Sequence, residues 1–408
     1  MSVAEGLGAA QVGDATSDER RALVDTVRLF GSREVAPAIA VADRESGGHL
    51  SREAYLRLYA SAAGIGLPGL LIPEEFGGSG RGCLEHCLVQ EELGAVDAGF
   101  AASLALTMSV VEMVRVGGDE AQQERLLRAV ATGSDHILAG ALNEPSVPGS
   151  ELFDPAPQAS GGIRTRAERE GEGYVLTGAK AGWVTNAGIA REYFVFARTS
   201  LDAPAPLSTS CFLVPADARG LAVGARSELL GLRSGWHAEL YLDAVRVPAS
   251  ARLGPEGGGL PLMQSSTPGM PVALAAVFVG LARRAYDEAL SWASTRQSWG
   301  RPIREHQAVA LMLADMSMDL TAARLLVHAA ARAVDGDPAA GALPVLVPSA
   351  KARAVEVAIA NAQRAVKIFG GSGVTVGLPP EKLLRDAWTG YSCDFTGDLL
   401  RLGVAAAL

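Results

Sequence analysis

Apolar spacing changes twice along this chain, and that double change constrains the fold more than any other feature. Ser17-Asp18-Glu19 is a helix-start signal, and Leu23, Val24, Val27, Leu29 and Phe30 follow at roughly helical intervals. Ser51-Arg52-Glu53 opens a second helix through Leu56, Leu58 and Tyr59. The stretches Gly64 to Gly69 and Pro73 to Gly80 break the pattern as loops. Helical spacing returns from Leu84 to about Gly117 and from Asp119 to Thr132. Near His136 the texture turns to short β-like runs. These cover Ile163 to Ala167, Tyr174 to Leu176, Tyr193 to Ala197, Cys211 to Val214 and Ala238 to Leu242, with turn residues between them. Past Gly254 long helical segments resume, at Val272 to Ser294, His306 to Val334 and Ser349 to Phe369. The expected organisation is a helical domain over residues 1–136, a compact β domain over 137–253 and a helical bundle over 254–408.

Bulk properties narrow the function classes. A chain of 408 residues, 49% of them hydrophobic, supports two or three cores. The net charge is −9 and no Lys/Arg-rich run stands out, which argues against nucleic acid or an anionic membrane as partner. The apolar run from Pro271 to Ala282 is too short for a bilayer, which takes about 20 residues. Met1 to Thr16 lacks a basic stretch followed by an apolar core, so it reads as a frayed tail. Cys83 and Cys87 are four apart on one helix face, but no second Cys/His pair stands at matching spacing. They read as buried reduced thiols, and the low cysteine content points to the cytoplasm. Gly371-Ser372-Gly373 follows a helix, where a dinucleotide-binding glycine turn needs a preceding strand.

Seven segments occur in order. They are Pro73-Glu74-Glu75-Phe76-Gly77-Gly78, Leu142-Asn143-Glu144-Pro145 through Gly149-Ser150, Trp183-Val184-Thr185-Asn186-Ala187-Gly188, Arg296-Gln297-Ser298-Trp299-Gly300, His306-Gln307-Ala308, Phe369-Gly370-Gly371-Ser372-Gly373, and Arg385-Asp386-Ala387 with Asp394-Phe395-Thr396-Gly397-Asp398. Together they resemble the acyl-CoA dehydrogenase flavoprotein family, from about Ser17 to Ala405. The resemblance implies an α-helical N-terminal domain, a middle β-barrel-like domain and a C-terminal four-helix bundle. It implies FAD, held by Leu142, Asn143, Gly149, Ser150, Trp183, Thr185, Arg296, Ser298, Trp299, His306, Gln307, Lys367, Gly370, Gly371, Thr396 and Asp398. Trp183 suits the apolar face of an isoalloxazine ring, and Thr185 its polar edge. Arg296, read as lying on a helix, and Lys367, where the family usually has Gln, suit a diphosphate. The family builds its FAD site across a subunit interface, which implies a homodimer or homotetramer.

In the family a carboxylate removes the α-proton of an acyl thioester while a hydride leaves the β-carbon. The family's Glu position is Asp394 here, and the following Gly is Phe395. The Asp394 oxygens fall back by about 1.5 Å, one C–C bond. The Phe395 ring fills space beside the reacting carbons that a straight acyl chain uses, and Ser150 and Phe395 are the substrate-lining candidates. Some members carry the base on an earlier helix, at the position of Met270, so that alternative is absent here. The family's CoA-binding Asp and Arg fall at Pro268 and Pro271. Ser146-Val147-Pro148 lengthens one loop, Asp154 to Gly162 is an insertion, and Trp236-His237 replaces an Asp-Thr pair. His237 reads as a packed or surface histidine.

The expected activity is α,β-desaturation of a CoA- or carrier-protein-bound acyl thioester in a biosynthetic pathway. Asp394 is the base, and electron-transfer flavoprotein or oxygen is the acceptor. Two alternatives stand beside it: a flavin-dependent monooxygenase or oxidase on the same scaffold, and a flavin-binding protein with non-redox or no catalysis.

Overall fold

The computed structural model describes residues 17–147, 159–336 and 341–408. Helix α1 (Asp18–Phe30) starts where Ser17 Oγ accepts from Arg20 N–H at 3.2 Å, and it buries Val24, Val27 and Phe30. A π-turn at Gly31–Val35 leads into α2 (Ala36–Ser46), and α3 (Arg52–Gly64) is capped by Ser51. Next come α4 (Cys83–Val96), α5 (Ala98–Gly117) and α6 (Glu120–Thr132). The single helical stretch expected from Leu84 to Gly117 is therefore two helices. Asp97 breaks it in an extended conformation (φ −158°), caps α5 by accepting from Phe100 N–H at 2.8 Å, and is held by Lys382 Nζ at 2.8 Å. Helix α5 is long and apolar enough to cross a membrane, yet 72% of its most apolar stretch is buried in this fold, the pattern of a core helix.

The middle of the chain forms one eight-stranded sheet among the described residues. Its members are β1 (Leu138–Ala141), β2 (Arg166–Glu170), β3 (Gly173–Thr185), β4 (Glu192–Arg198), β5 (Thr209–Pro215), β6 (Leu221–Arg226), β7 (His237–Pro248) and the short β8 (Arg252–Leu253). The order is β6-β7-β3-β2-β4-β5-β8, with β1 parallel to β4. Strands β3 and β7 pair antiparallel, Leu176 opposite Val245, but the register slips between Lys180 and Val184. Such a bulge re-aims side chains locally.

The C-terminal helices are α7 (Gly259–Ser266), α8 (Gly269–Thr295), α9 (Gln307–Val334), α10 (Leu343–Phe369), α11 (Pro379–Gly390) and α12 (Gly397–Ala407). Helix α10 begins earlier than its apolar spacing indicated, with Pro344 in the first turn, where a missing N–H costs nothing. Helix α8 crosses α4 at backbone contact. A Cβ at Gly280 would lie 2.1 Å from Glu91 O, and one at Gly94 would lie 2.3 Å from Val277 O. Beside this crossing, Arg324 Nη2 and Glu91 Oε1 are 2.7 Å apart, and Arg283 Nη2 and Glu92 Oε2 are 2.8 Å apart. The first helices and the C-terminal bundle thus share one continuous core.

Candidate active site

Helix α11 carries the last segment into place. It buries Leu383, Asp386, Ala387 and Gly390. Asp386 Oδ1 accepts from Leu232 N–H at 2.7 Å, and Lys382 Nζ reaches Asp386 Oδ2 at 2.6 Å. The first bond ties α11 to the middle domain. At its end Gly390 lies against Phe278 of α8, where an added Cβ would come 2.4 Å from the ring. The chain then forms a tight loop from Tyr391 to Thr396. Thr396 Oγ1 starts α12 by accepting from Leu399 N–H.

Two successive non-glycine residues of this loop are left-handed, Asp394 at φ 49° and Phe395 at φ 74°. Each such conformation costs about 1–2 kcal/mol and persists where the surroundings over-determine it. Here Lys351 of α10, 1% exposed, supplies the determination. Its Nζ donates to Phe395 O at 2.9 Å, to Gly390 O at 3.4 Å, and to Cys393 O. Asp394 is half-buried as a residue, but its Oδ2 is buried and has no hydrogen-bond partner among the described residues. Burial raises its pKa, partly offset by the Lys351 ammonium. Burial likewise pushes the Cys393 thiol up to about 11. An unpaired carboxylate of raised pKa on a rigid loop is poised to accept a proton.

A second corner forms around Glu144 and Lys180, both inaccessible. Lys180 Nζ lies 2.8 Å from Glu144 Oε1 and also donates to Phe196 O at 2.7 Å and Leu142 O at 3.3 Å. Glu144 accepts in addition from Arg164 N–H at 2.7 Å and Thr165 N–H at 2.9 Å. Burial would raise the Glu144 carboxyl, but Lys180 and these donors outweigh it and hold it below its ordinary value. Asn143 O accepts from Ala181 N–H at 2.9 Å, inside the β3 bulge. The bulge leaves Trp183 55% exposed. Leu142, Asn143, Trp183 and Thr185 thus stand together. Asn186, left-handed at φ 68°, pins the following turn through Nδ2 to Leu138 O at 2.8 Å. Gly149 and Ser150 lie outside the described residues, as do Pro148 and residues 154–158 of the insertion.

The third group is a hairpin. Arg296 is not on a helix: it follows α8 in an extended conformation and is exposed. Gln297–Ser298 pairs with Arg301–Pro302 around Trp299-Gly300, both at positive φ, the turn that suits a two-residue hairpin. Trp299 is 95% exposed at its tip. His306 Nε2 shares a hydrogen bond with Ser298 O at 3.1 Å, and exposed Gln307 opens α9. Trp292 stacks on Phe369 with centroids 4.5 Å apart, which sets the hairpin beside exposed Lys367, Gly370 and Gly371. Exposed Asp398 pairs with Arg401 and accepts from Tyr391 Oη–H. No hydrogen bond, ion pair or ring contact among the described residues joins this hairpin to the Trp183 corner. His237 is packed, its pKa pushed down to about 4 by burial and by Arg226. At the start of α8, Pro268, Met270 and Pro271 present no ionisable group.

Sequence reasoning missed Lys180, Lys351 and Glu144 as structural anchors. The two lysines left a signal: Lys180 falls on the alternate-residue series of inward-facing Tyr174 and Leu176 in β3, and Lys351 lies on the apolar stripe of Ala350, Ala354, Val355 and Ala358.

The features present fit FAD. The uncovered Trp183 face suits a flavin ring, and the exposed Arg296 and Lys367 suit a diphosphate. Three family models match along the chain: acyl-CoA dehydrogenase N-terminal domain over residues 17–134, middle domain over 140–245 and C-terminal domain over 257–408. The chain belongs to the acyl-CoA dehydrogenase family. It is accordingly an FAD-dependent oxidoreductase acting on CH–CH groups. It is 32% identical over 393 residues to a probable acyl-CoA dehydrogenase, FadE25, of Mycobacterium tuberculosis (strain ATCC 25618 / H37Rv), covering 96% of this chain and 95% of the relative. Butyryl-CoA dehydrogenase from Megasphaera elsdenii superposes with a TM-score of 0.87 at 28% identity, covering 96% of this chain and 98% of that one. PigA, solved with FAD and proline, superposes with a TM-score of 0.85 at 25% identity, covering 96% and 97%.

Proposed function

We propose that this protein introduces an α,β double bond into an acyl thioester, with Asp394 as the base. The observation that carries this reading is the buried, unpartnered Oδ2 of Asp394 on a loop that Lys351 holds. Asp394 takes the α-proton of the thioester. Its N–H, which makes no hydrogen bond among the described residues, is free to hold the thioester oxygen as negative charge develops there. Bound FAD supplies the hydride acceptor. Trp183, Leu142, Asn143 and Thr185 orient the flavin, while Arg296, Trp299, Ser298, His306, Gln307, Lys367, Gly370 and Gly371 meet the cofactor of a neighbouring subunit. That division supports a homodimer or homotetramer. Thr396 and Asp398 flank the base, with Thr396 capping α12.

Phe395 shortens the space for the acyl chain and favours a short or branched group. Pro268, Met270 and Pro271 give a CoA nucleotide no charge to bind, which supports a carrier-protein tether and a biosynthetic role. The likeness to PigA, solved with proline, supports a small acyl group. Electron-transfer flavoprotein or oxygen serves as acceptor. Four unpaired thiols suit the cytoplasm.

The test is an anaerobic titration of the holoenzyme with short, branched and hydroxylated acyl thioesters on CoA and on a carrier protein. Bleaching of the flavin band by one class supports the reading and names the substrate. A flavin that no thioester bleaches, on a protein whose reduced form consumes oxygen, favours the oxidase reading instead.

A further inference from the structure

The Asp394 loop poses a physical problem, since two consecutive left-handed residues carry the carboxylate and one of them is a phenylalanine. The structure shows one side chain that spans the whole loop. Lys351 Nζ binds carbonyls before Asp394 (Gly390, Cys393) and after it (Phe395), and it makes no ion pair with a carboxylate among the described residues. An ammonium has three donors, and all three are used on this loop. Gly390 is itself fixed against Phe278 of α8, so the loop has an immobile start and a clamped end.

We propose that Lys351 is the positioning residue of the catalytic loop: it sets the left-handed turn that aims Asp394 and leaves its carboxylate unbonded. This rests on Asp394 being the base. Three lines converge. The three carbonyl bonds bracket Asp394 on both sides. The Asp394 N–H and Oδ2 are left free for substrate because Lys351, and not they, holds the loop closed. Burial alone raises the Asp394 pKa, and Lys351 is the group that opposes it. The other titratable groups near the loop do not compete: the Cys393 thiol is neutral, and Tyr391 and Asp398 are bonded to each other at the exposed face. Lys351 touches no reacting atom and acts through Asp394.

The experiment compares wild type with Lys351→Met and Lys351→Arg, each as FAD-loaded holoenzyme. The probe is whichever thioester bleaches the flavin fastest in the titration above. For Lys351→Met we expect flavin reduction to fall roughly a hundredfold, the scale of a misplaced catalytic group. Its acid limb should move to higher pH because the opposing cation is gone. Amide exchange should accelerate within residues 391–396 while α10 stays protected. Lys351→Arg keeps the charge, so its acid limb should stay at the wild-type pH with a partly restored rate. Wild-type rate, pH limb and loop exchange in Lys351→Met would overturn the proposal, as would a shifted limb in Lys351→Arg if Lys351→Met fails to retain FAD. Amide exchange needs no substrate, so it reads the clamp even if Asp394→Asn proves active and the base assignment falls.

Discussion

Two lysines are buried in this protein, and they have opposite consequences for the acid beside them. Lys180 in the middle domain meets Glu144 directly, at 2.8 Å, and two backbone donors complete the carboxylate's shell. Glu144 is thereby held ionised and committed. Lys351 in the C-terminal bundle spends its donors on carbonyls instead, and Asp394 is left with an unpartnered oxygen and a raised pKa. A paired buried acid builds structure, whereas one whose cation is occupied elsewhere keeps its lone pairs for chemistry.

The comparison can be broken most directly at Asp394. Asp394→Asn should lower flavin reduction by thioester roughly 10²–10⁴-fold, the range of a general base. It should leave thermal stability unchanged or raised, since the carboxylate supports no bond; anaerobic stopped-flow and a melting curve read the two. Glu144→Gln should behave in the opposite way. Leaving Lys180 buried and unpaired should cost about 3–5 kcal/mol in denaturant unfolding. Adding Lys180→Met to that variant should recover part of the loss, because both charges then leave together.

The pH dependences sharpen the same contrast. The Glu144 pKa is depressed, so its stabilisation is full above the ordinary carboxyl value of 4.5 and is lost as pH falls through the folded value. Glu91, held at about 2 by Arg324 and Arg283 against its burial, extends that loss toward pH 2 in an acid unfolding curve. The Asp394 pKa is raised above 3.8, so flavin reduction should fade at a pH where Glu91 still stabilises the fold. The smallest effect is expected at the neighbouring residue. In Phe395→Gly, relief of about 1 kcal/mol of left-handed strain offsets lost contacts. The melting temperature should barely move, while longer straight-chain thioesters should bleach the flavin faster relative to short ones.

Much of this was legible in the sequence. The helical, β, helical order follows from apolar periodicity, which needs only local spacing. Asp394 and Phe395 stood out by their place in an ordered set of motifs. The break at Asp97 was not legible, because a capping Asp in an otherwise helical run becomes visible as a stop once Lys382, far along the chain, is found to hold it. Arg296 read as helical because nothing before it ends α8, whereas the two-residue turn at Trp299-Gly300 requires extended flanks.

The sequence by itself determined the three-part architecture and the FAD family and singled out the carboxylate proposed as base, since these depend on residue types and their order. The tertiary structure decided which buried lysine faces an acid and which faces carbonyls. Both are lysines in apolar surroundings, and the roles of Glu144 and Asp394 depend on which donors and acceptors reach each ammonium once β3 and α10 are packed.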